Sequence, residues 1–494
     1  MDKQKIYILN PDYKFKNDED RVVMYSQANV RNDSEKEWLG FVHPYQALLL
    51  GLFTNESTFE EHCKEISTYF NMPLLQVEDM MVQYVENKES IYNKNEGTFV
   101  TFPKNVLIPF EGQLPDYDFC QGDLMCETVD INPDRMHKAP HSALFMLNNH
   151  CLTDCLYCYA DKRTKCDELT TEEIFDIIDN AKRLKMAKID VIGGELFIKK
   201  DWDNILERLV SYNMSPSFIS TKVPVTEDII EKLKRTRYNN VIQISLDSMD
   251  ENILKQLIHC PNGYLDRLLA GIELLQENGF KIQFDTILTN LNSLEEDLIA
   301  LYNYIKTING LVYWEIRVPE ISIYRSESFK KVVYDKAEIQ KSCIFAKSIK
   351  EKANINILVS DEILASSYFD TSPGEKCFNH GICGILNDQI FILPDGKVGV
   401  CEQLYWKPEY LIGDLRKQSI EEIWNSPKAK AVLNMRYGMD ETSNCHGCKV
   451  VELCSKTHRR CPVRVIKAYG EAHWDYPDPH CTRAPKQLNS EFIL

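Results

Sequence analysis

Between Ser142 and Val318, short apolar runs alternate with longer stretches in which apolar residues recur at every third or fourth position. The short runs, of strand length, are Ala143–Leu147, Lys188–Ile192, Pro216–Ser220, Val241–Leu246, Lys281–Leu288 and Leu311–Arg317. The stretches between them have the period of helices. Two open with a capping box, Thr170-Thr-Glu-Glu173 and Ser293-Leu-Glu-Glu296. Strand and helix in such regular alternation predict parallel strands joined by crossover helices. Six units fall short of the eight that close a full barrel. The expected fold is therefore α/β, a partial (β/α)6 TIM-like barrel over residues 141–330. In barrels of this kind the chemistry gathers at the carboxyl ends of the strands.

The first hundred residues follow another rhythm. Lys5–Leu9 and Arg21–Tyr25 alternate as short strands on either side of a polar turn. Pro44 suits the first position of a helix that runs on through Phe53. Ser57-Thr-Phe-Glu60 reads as a capping box for a second helix, Leu75–Val85 has helical spacing, and Thr98–Phe102 returns as a strand. A winged-helix-like domain over residues 1–104 is expected, followed by a Pro- and Asp-rich linker over 105–140. The plainest role for such a module is structural. Residues 331–376 read as a bridge to a tail over 377–494.

The formal charge of −17 argues against a nucleic-acid surface or an anionic membrane as the main partner. No apolar run reaches the roughly 18 residues of a membrane span. The opening Met1-Asp-Lys-Gln-Lys5 lacks the apolar stretch of a signal peptide behind it. A cytoplasmic protein is expected. In that setting 17 cysteines point to metal or cluster ligands ahead of disulfides.

Three of those cysteines follow the first strand of the barrel, in Cys151-Leu-Thr-Asp-Cys155-Leu-Tyr-Cys158. Thiolates ligate iron–sulfur clusters, and a [4Fe–4S] cubane takes four. With three supplied locally, one iron stays open for a small ligand, much as a catalytic zinc keeps a free position. A structural zinc site with a distant fourth ligand is the competing reading of three nearby thiols.

This spacing resembles the signature of the radical S-adenosylmethionine (SAM) enzymes, with Tyr157 as the aromatic residue before the third cysteine. The resemblance extends over residues 141–494. It implies that the open iron of the Cys151, Cys155 and Cys158 cluster binds SAM and that its cleavage yields a 5′-deoxyadenosyl radical. It also implies an electron donor such as ferredoxin or flavodoxin. Gly193, Gly194 and Glu195, ending the second strand, resemble the motif that holds the SAM amino group. Ser220, Ser245 and Asp247, at the ends of strands three and four, stand where the family contacts the SAM carboxylate and ribose. Each is also an ordinary strand-end polar residue. Related enzymes place an arginine about a dozen residues beyond the Ser245 position; this chain has none there, which leaves Lys255, His259 and Arg317 as candidates.

The tail carries Cys377, Cys383 and Cys401, then Cys445, Cys448 and Cys454, then Cys461 and Cys481. Pro394-Asp-Gly-Lys397 is a hairpin signal. Eight thiols suit two fully ligated cubanes, or a pair of zinc knuckles. The spacing resembles the SPASM extension with two auxiliary [4Fe–4S] clusters, making three in all. That resemblance assigns Cys377, Cys383, Cys401 and Cys461 to the first auxiliary cluster, and Cys445, Cys448, Cys454 and Cys481 to the second. His458 stands where the family has a further cysteine, so it competes with Cys461. The other six cysteines fit no ligand spacing.

The stretch His43-Pro-Tyr-Gln-Ala-Leu-Leu-Leu-Gly-Leu-Phe53 and its capped neighbour resemble the small domain by which ribosomal-peptide maturation enzymes grip a leader peptide. The resemblance therefore implies a peptide maturase that crosslinks a ribosomally made precursor, through a Cys thioether or a carbon–carbon bond. Glu402, directly after Cys401, resembles the acidic base of sulfatase-maturing enzymes, which oxidise Ser or Cys to an aldehyde. A non-catalytic metal scaffold that binds peptides is a third class.

Overall fold

The computed structural model describes residues 2–26, 38–95, 98–132, 135–162, 164–319, 321–332, 336–360, 386–433, 439–456, 460–479 and 481–486. The chain divides into two compact units, Met1–Ala139 and Pro140–Leu494, each with buried apolar residues of its own.

In the first unit β1 (Tyr7–Leu9) is followed by β2 (Tyr13–Asn17), β3 (Val22–Ser26) and β4 (Leu39–Val42), the last three forming an antiparallel sheet in that order. Helix α1 (Pro44–Gly51) starts as predicted, with the His43 ring accepting the Tyr45 N–H at 3.1 Å. The capping box of α2 (Phe59–Phe70) sits one residue later than expected. Thr58, not Ser57, accepts the Glu61 N–H at 3.3 Å, and Glu61 accepts the Thr58 N–H at 2.8 Å. This start turns Phe59, Cys63 and Ile66 into the interior. After α3 (Leu74–Val82), β5 (Ile91–Asn95) pairs with β6 (Thr98–Phe102), and β7 (Leu107–Pro109) pairs with β1. Residues 105–139, expected as a linker, belong to this unit. Leu107 and Leu124 are fully buried in its core, and the Tyr117 hydroxyl donates to Leu9 O. A segment with that much buried apolar surface cannot run free in water.

The second unit contains all six predicted strands, their ends within two residues of the expectation. They are β8 (Ser142–Met146), β9 (Lys188–Ile192), β10 (Phe218–Thr221), β11 (Val241–Ser245), β12 (Lys281–Ile287) and β13 (Leu311–Arg317). Between them run α4 (Thr171–Arg183), α5 (Trp202–Ser211), α6 (Glu227–Thr236), α7 (Glu251–Ile258), α8 (Tyr264–Glu277) and α9 (Glu295–Ile305). Thr170 and Glu173 form the predicted box on α4. Ser293 does not cap α9: Leu294 stands at the cap without a side-chain bond, and Glu295, Glu296 and Asp297 fill the positive first turn instead.

Strands β10 to β13 pair in parallel, and β14 (Ile357–Ser360) extends them, after α10 (Ser326–Phe329) and α11 (Lys336–Lys352). Strand β8 pairs in parallel with β9 on one side and with β15 (Gln389–Ile392) on the other. Then β16 (Lys397–Gly399) and β17 (Leu411–Asp414) follow antiparallel. The β15–β16 turn is the predicted hairpin, with Gly396 at φ 80°. Among the described residues no ladder joins β9 to β10. Side chains bridge that seam: the Ser217 N–H donates to Asp190 at 2.7 Å, and Lys188 reaches the Ser217 hydroxyl at 3.1 Å. The tail adds α12 (Ile420–Trp424), α13 (Pro427–Leu433), α14 (Val451–Lys456) and α15 (Pro462–Tyr469). Among the described residues no helix is long and apolar enough to cross a membrane.

Candidate active site at the strand carboxyl ends

The three cysteines leave the carboxyl end of β8 on a loop whose backbone is held at nearly every turn. The Gly194 N–H donates to Asn148 O at 2.9 Å and the Glu195 N–H to His150 O at 2.7 Å. The Asn148 side chain returns the tie, donating to Glu195 O at 2.9 Å and accepting the His150 N–H. So tight is the approach that a Cβ on Gly194 would lie 2.1 Å from His150 O, which explains the glycine. Further along, the Asp154 and Leu156 N–H groups donate to Ile258 and Leu257 at the end of α7. Arg325 donates to Cys155 O at 3.1 Å and pairs with Asp154 at 2.8 Å. Cys155 is buried, and Cys151 and Cys158 are partly so. Burial pushes the Cys151 thiol to about 12, with Lys162 opposing the shift and both other thiols adding to it. The three thiols therefore sit within electrostatic reach of one another.

Beside them, four strand ends share one network. Glu195 accepts from the Thr221 hydroxyl at 2.8 Å and from the Lys222 N–H at 2.9 Å. Burial raises its pKa, while these two bonds work against the rise. Asp247, fully buried, accepts from the Tyr157 hydroxyl at 2.5 Å, from the Lys222 ammonium at 3.0 Å and from the Ile287 N–H at 3.0 Å. The Glu195 carboxylate is thus engaged as a brace across the β9–β10 seam. Ser220 is exposed at the end of β10, and Ser245 is half-buried at the end of β11.

Of the three candidates for the missing arginine, Lys255 pairs with Glu251 along α7 and His259 is exposed near Asp154. Arg317, at the end of β13, pairs with Asp285. Glu402 lies near the cysteine loop. Desolvation lifts the Tyr159 phenol well above its ordinary value, and Glu402, Cys158 and Cys401 add to the rise while Arg317 opposes it. Tyr405 shares this neighbourhood and packs edge-on against Tyr324 at 5.4 Å between ring centres.

In the tail, Cys445, Cys448 and Cys481 act electrostatically on one another, and Arg483 donates to the Cys448 sulfur. Cys454 lies on α14, and Cys461 caps α15. Cys377, Cys383 and His458 lie outside the described residues. Of the cysteines without ligand spacing, Cys63, Cys260 and Cys343 are buried, Cys126 and Cys166 are half-buried, and Cys120 is exposed.

Residues 146–305 match the Radical SAM superfamily, and residues 383–449 match the SPASM iron-sulfur cluster-binding domain. This chain is a radical SAM enzyme. The AdoMet-dependent heme synthase of Methanosarcina barkeri is 23% identical over 368 residues, 71% of this chain and 98% of that protein. The mycofactocin maturase MftC of Mycolicibacterium smegmatis is 25% identical over 167 residues, 33% of this chain and 42% of MftC. In fold, Streptococcus suis SuiB, solved bound to its precursor peptide SuiA, matches 96% of this chain and 100% of its own at TM-score 0.64 and 14% identity.

The residues fit the radical SAM cluster by their chemistry. The donors are three thiols from one eight-residue loop, with partly buried cysteines on either side of a buried one. Among the described residues no three His, Cys, Asp or Glu side chains are gathered to hold a metal ion as they stand. The thiolates of a cubane sit on separate irons and need not meet at one point. Sequence reasoning missed Lys222 and Arg325. A lysine just past a strand looks like a solvated cap, and Arg325 lies 170 positions from the cysteine it holds. The position of Lys222 after the third strand of a barrel was the one available signal.

Proposed function

We propose that this radical SAM enzyme is a peptide maturase that installs a Cys thioether crosslink in a ribosomally made precursor peptide. The observation that carries the reading is the domain plan: a self-contained unit of strands and helices, then three thiols at parallel strand ends, then a thiol-rich tail. The same fold over nearly the whole length belongs to a protein solved with its precursor peptide. MftC supports the same substrate class, whereas the heme synthase shows that relatives at this distance act on other substrates.

In this reading β8 to β13 form a partial (β/α)6 barrel, and the first unit is a winged-helix-like leader-recognition domain with the β5–β6 hairpin as its wing. Its β2–β3–β4 sheet has β3 in the centre, so a leader strand would add at β2 or β4, taking affinity from main-chain hydrogen bonds. When bound, the clusters and SAM would supply the radical and electron-accepting chemistry that joining a peptide sulfur to a carbon requires. Cys151, Cys155 and Cys158 hold the SAM-binding cluster. Gly193, Gly194, Ser220 and Ser245 border the SAM amino acid and ribose, with Glu195 and Asp247 fixing the strand ends beneath them. Cys401 and Cys461, with Cys377 and Cys383, hold the first auxiliary cluster; Cys445, Cys448, Cys454 and Cys481 hold the second. Glu402 faces the substrate and accepts the thiol proton. Electrons enter from ferredoxin or flavodoxin.

The place of Glu402 next to Tyr159 and the cysteine loop favours one alternative, oxidation of a Ser or Cys to an aldehyde with Glu402 as base. Anaerobic reaction with a precursor encoded beside the enzyme separates the two. A thioether gives a product two hydrogens lighter that fragments as a ring and ignores hydrazine reagents. A hydrazine-trapped aldehyde contradicts the crosslink.

A further inference from the structure

Lys222 is the first residue beyond β10, and the chain turns it inward. Its N–H donates to Glu195 at 2.9 Å, and its carbonyl accepts the Tyr264 hydroxyl at 2.8 Å. The backbone is therefore pinned on both sides, and the side chain reaches the Tyr157 ring of the cysteine loop. The ammonium lies 3.0 Å from Asp247 and 5.6 Å from the centre of the Tyr157 ring. Only 8% of the residue is exposed. A buried charge needs a partner, and Asp247 is one.

The pairing is unequal. Asp247 is shared among three donors, the Tyr157 hydroxyl, the Ile287 N–H and Lys222. The ammonium has three donors, and its one side-chain hydrogen bond is to Asp247. On its other side the ammonium faces the ring of Tyr157, the residue that stands between Cys155 and Cys158 in the cysteine loop. Asp247 is tied to the same residue through the Tyr157 hydroxyl at 2.5 Å. The ion pair thus lies between the cysteine loop and the end of β12, Lys222 against the Tyr157 ring and Asp247 on the Tyr157 hydroxyl and the Ile287 N–H.

An iron–sulfur cubane with a 2+ core and three thiolates has net charge −1, and −2 after taking an electron. Net charge around a cluster is one of the levers that set its potential. A fixed cation in a medium of low dielectric favours the more negative, reduced form. We propose that Lys222 is a positioning residue for electron entry, its ammonium raising the reduction potential of the cluster on Cys151, Cys155 and Cys158, with Asp247 setting how much of that charge the cluster feels. This rests on the radical SAM reading of the three cysteines.

The test is a potentiometric titration of the reconstituted holoenzyme, followed by the electron paramagnetic resonance signal that changes on adding SAM. Absence of any SAM-sensitive signal in the parent enzyme would refute the cluster assignment itself, separately from Lys222. In Lys222→Met, the ratio of reduced to oxidised cluster at a fixed potential falls about tenfold, 59 mV for one electron. Lys222→Arg keeps the parent potential. Asp247→Asn moves it the other way, because the ammonium is then uncompensated. An unchanged potential in Lys222→Met, or a shift of the same sign in the Met and Asn variants, overturns the proposal. If Lys222→Met does not hold its cluster, Asp247→Asn decides: a rise supports the assignment, and a fall or no change refutes it.

Discussion

Among the described residues each unit holds one ion pair with both side chains nearly buried, and the two pairs behave differently. In the first unit Arg21 and Asp18 meet at 3.0 Å, both almost fully buried. Arg21 donates to Asn132 O and Arg135 O and covers the Phe41 ring at 3.8 Å. Asp18 accepts the His137 and Lys138 N–H groups at 3.0 and 2.8 Å. These bonds return to the unit's own chain, fastening Asn132, Arg135, His137 and Lys138 to the β2–β3 turn. In the second unit Lys222 and Asp247 also pair, but at parallel strand ends and with both in contact with Tyr157 of the cysteine loop. Burying a charge pair is therefore no mark of function by itself. What separates the pairs is where the chain places them, and whether the cation's field ends on backbone carbonyls or on groups that change charge.

The largest test of that contrast is Arg21→Met. Breaking a buried pair leaves Asp18 uncompensated, so the first unit should lose about 3–5 kcal/mol of stability. Protection of β2 and β3 amides against hydrogen exchange should fall accordingly, while SAM cleavage by folded protein is unchanged. A drop in SAM cleavage with the unit intact would erase the distinction between the two pairs.

Gly194→Ala probes the other side. A methyl group that must displace His150 O moves the start of the cysteine loop. An ångström-scale shift in a reacting geometry costs about a hundredfold in rate. The variant should retain its iron and cleave SAM about a hundredfold more slowly. Parental turnover would mean that the loop tolerates slack there.

The smallest effect concerns His62, buried in the first unit against Phe53 with neither ring nitrogen hydrogen-bonded. Burial lowers its pKa to about 4, against about 6.5 in the unfolded chain. Between those values the unfolded state binds the extra proton, so stability contributed by the neutral ring is present above about 6.5 and is lost as pH falls toward 4. From pH 7 to pH 5 the loss is about 2 kcal/mol. His62→Phe should remove that part of the pH dependence, read from exchange protection in α2. An identical pH profile in the variant would place the acid sensitivity elsewhere. Unlike the two ion pairs, this group has no partner, and only its own unit should feel its titration.

Much of the second unit was legible because its signals are local. Strand length, helical period and the Thr170 box are decided within a few residues, as is the cysteine spacing. The pairing of β15 with β8 was not legible, since nothing near Gln389 records that its partner lies at Ser142, 247 positions away. The same holds for Lys222 and Arg325, whose roles appear only when strand ends and loops are brought together. In the first unit Tyr13–Asn17 alternates like any half-solvated hairpin strand, yet it was not read as β2. Residues 105–139 were read as a linker from their Pro and Asp content, which outweighed a few large apolar residues such as Tyr117, Phe119 and Leu124.

The most direct test of the account is SAM cleavage by a variant with Cys151, Cys155 and Cys158 all changed to Ala. Measured anaerobically with a strong reductant, the variant should form no 5′-deoxyadenosine. Its iron should fall by about four atoms per chain, one cubane, while the tail retains the rest. Parental 5′-deoxyadenosine production by that variant would contradict the assignment of the three thiols and everything built on it.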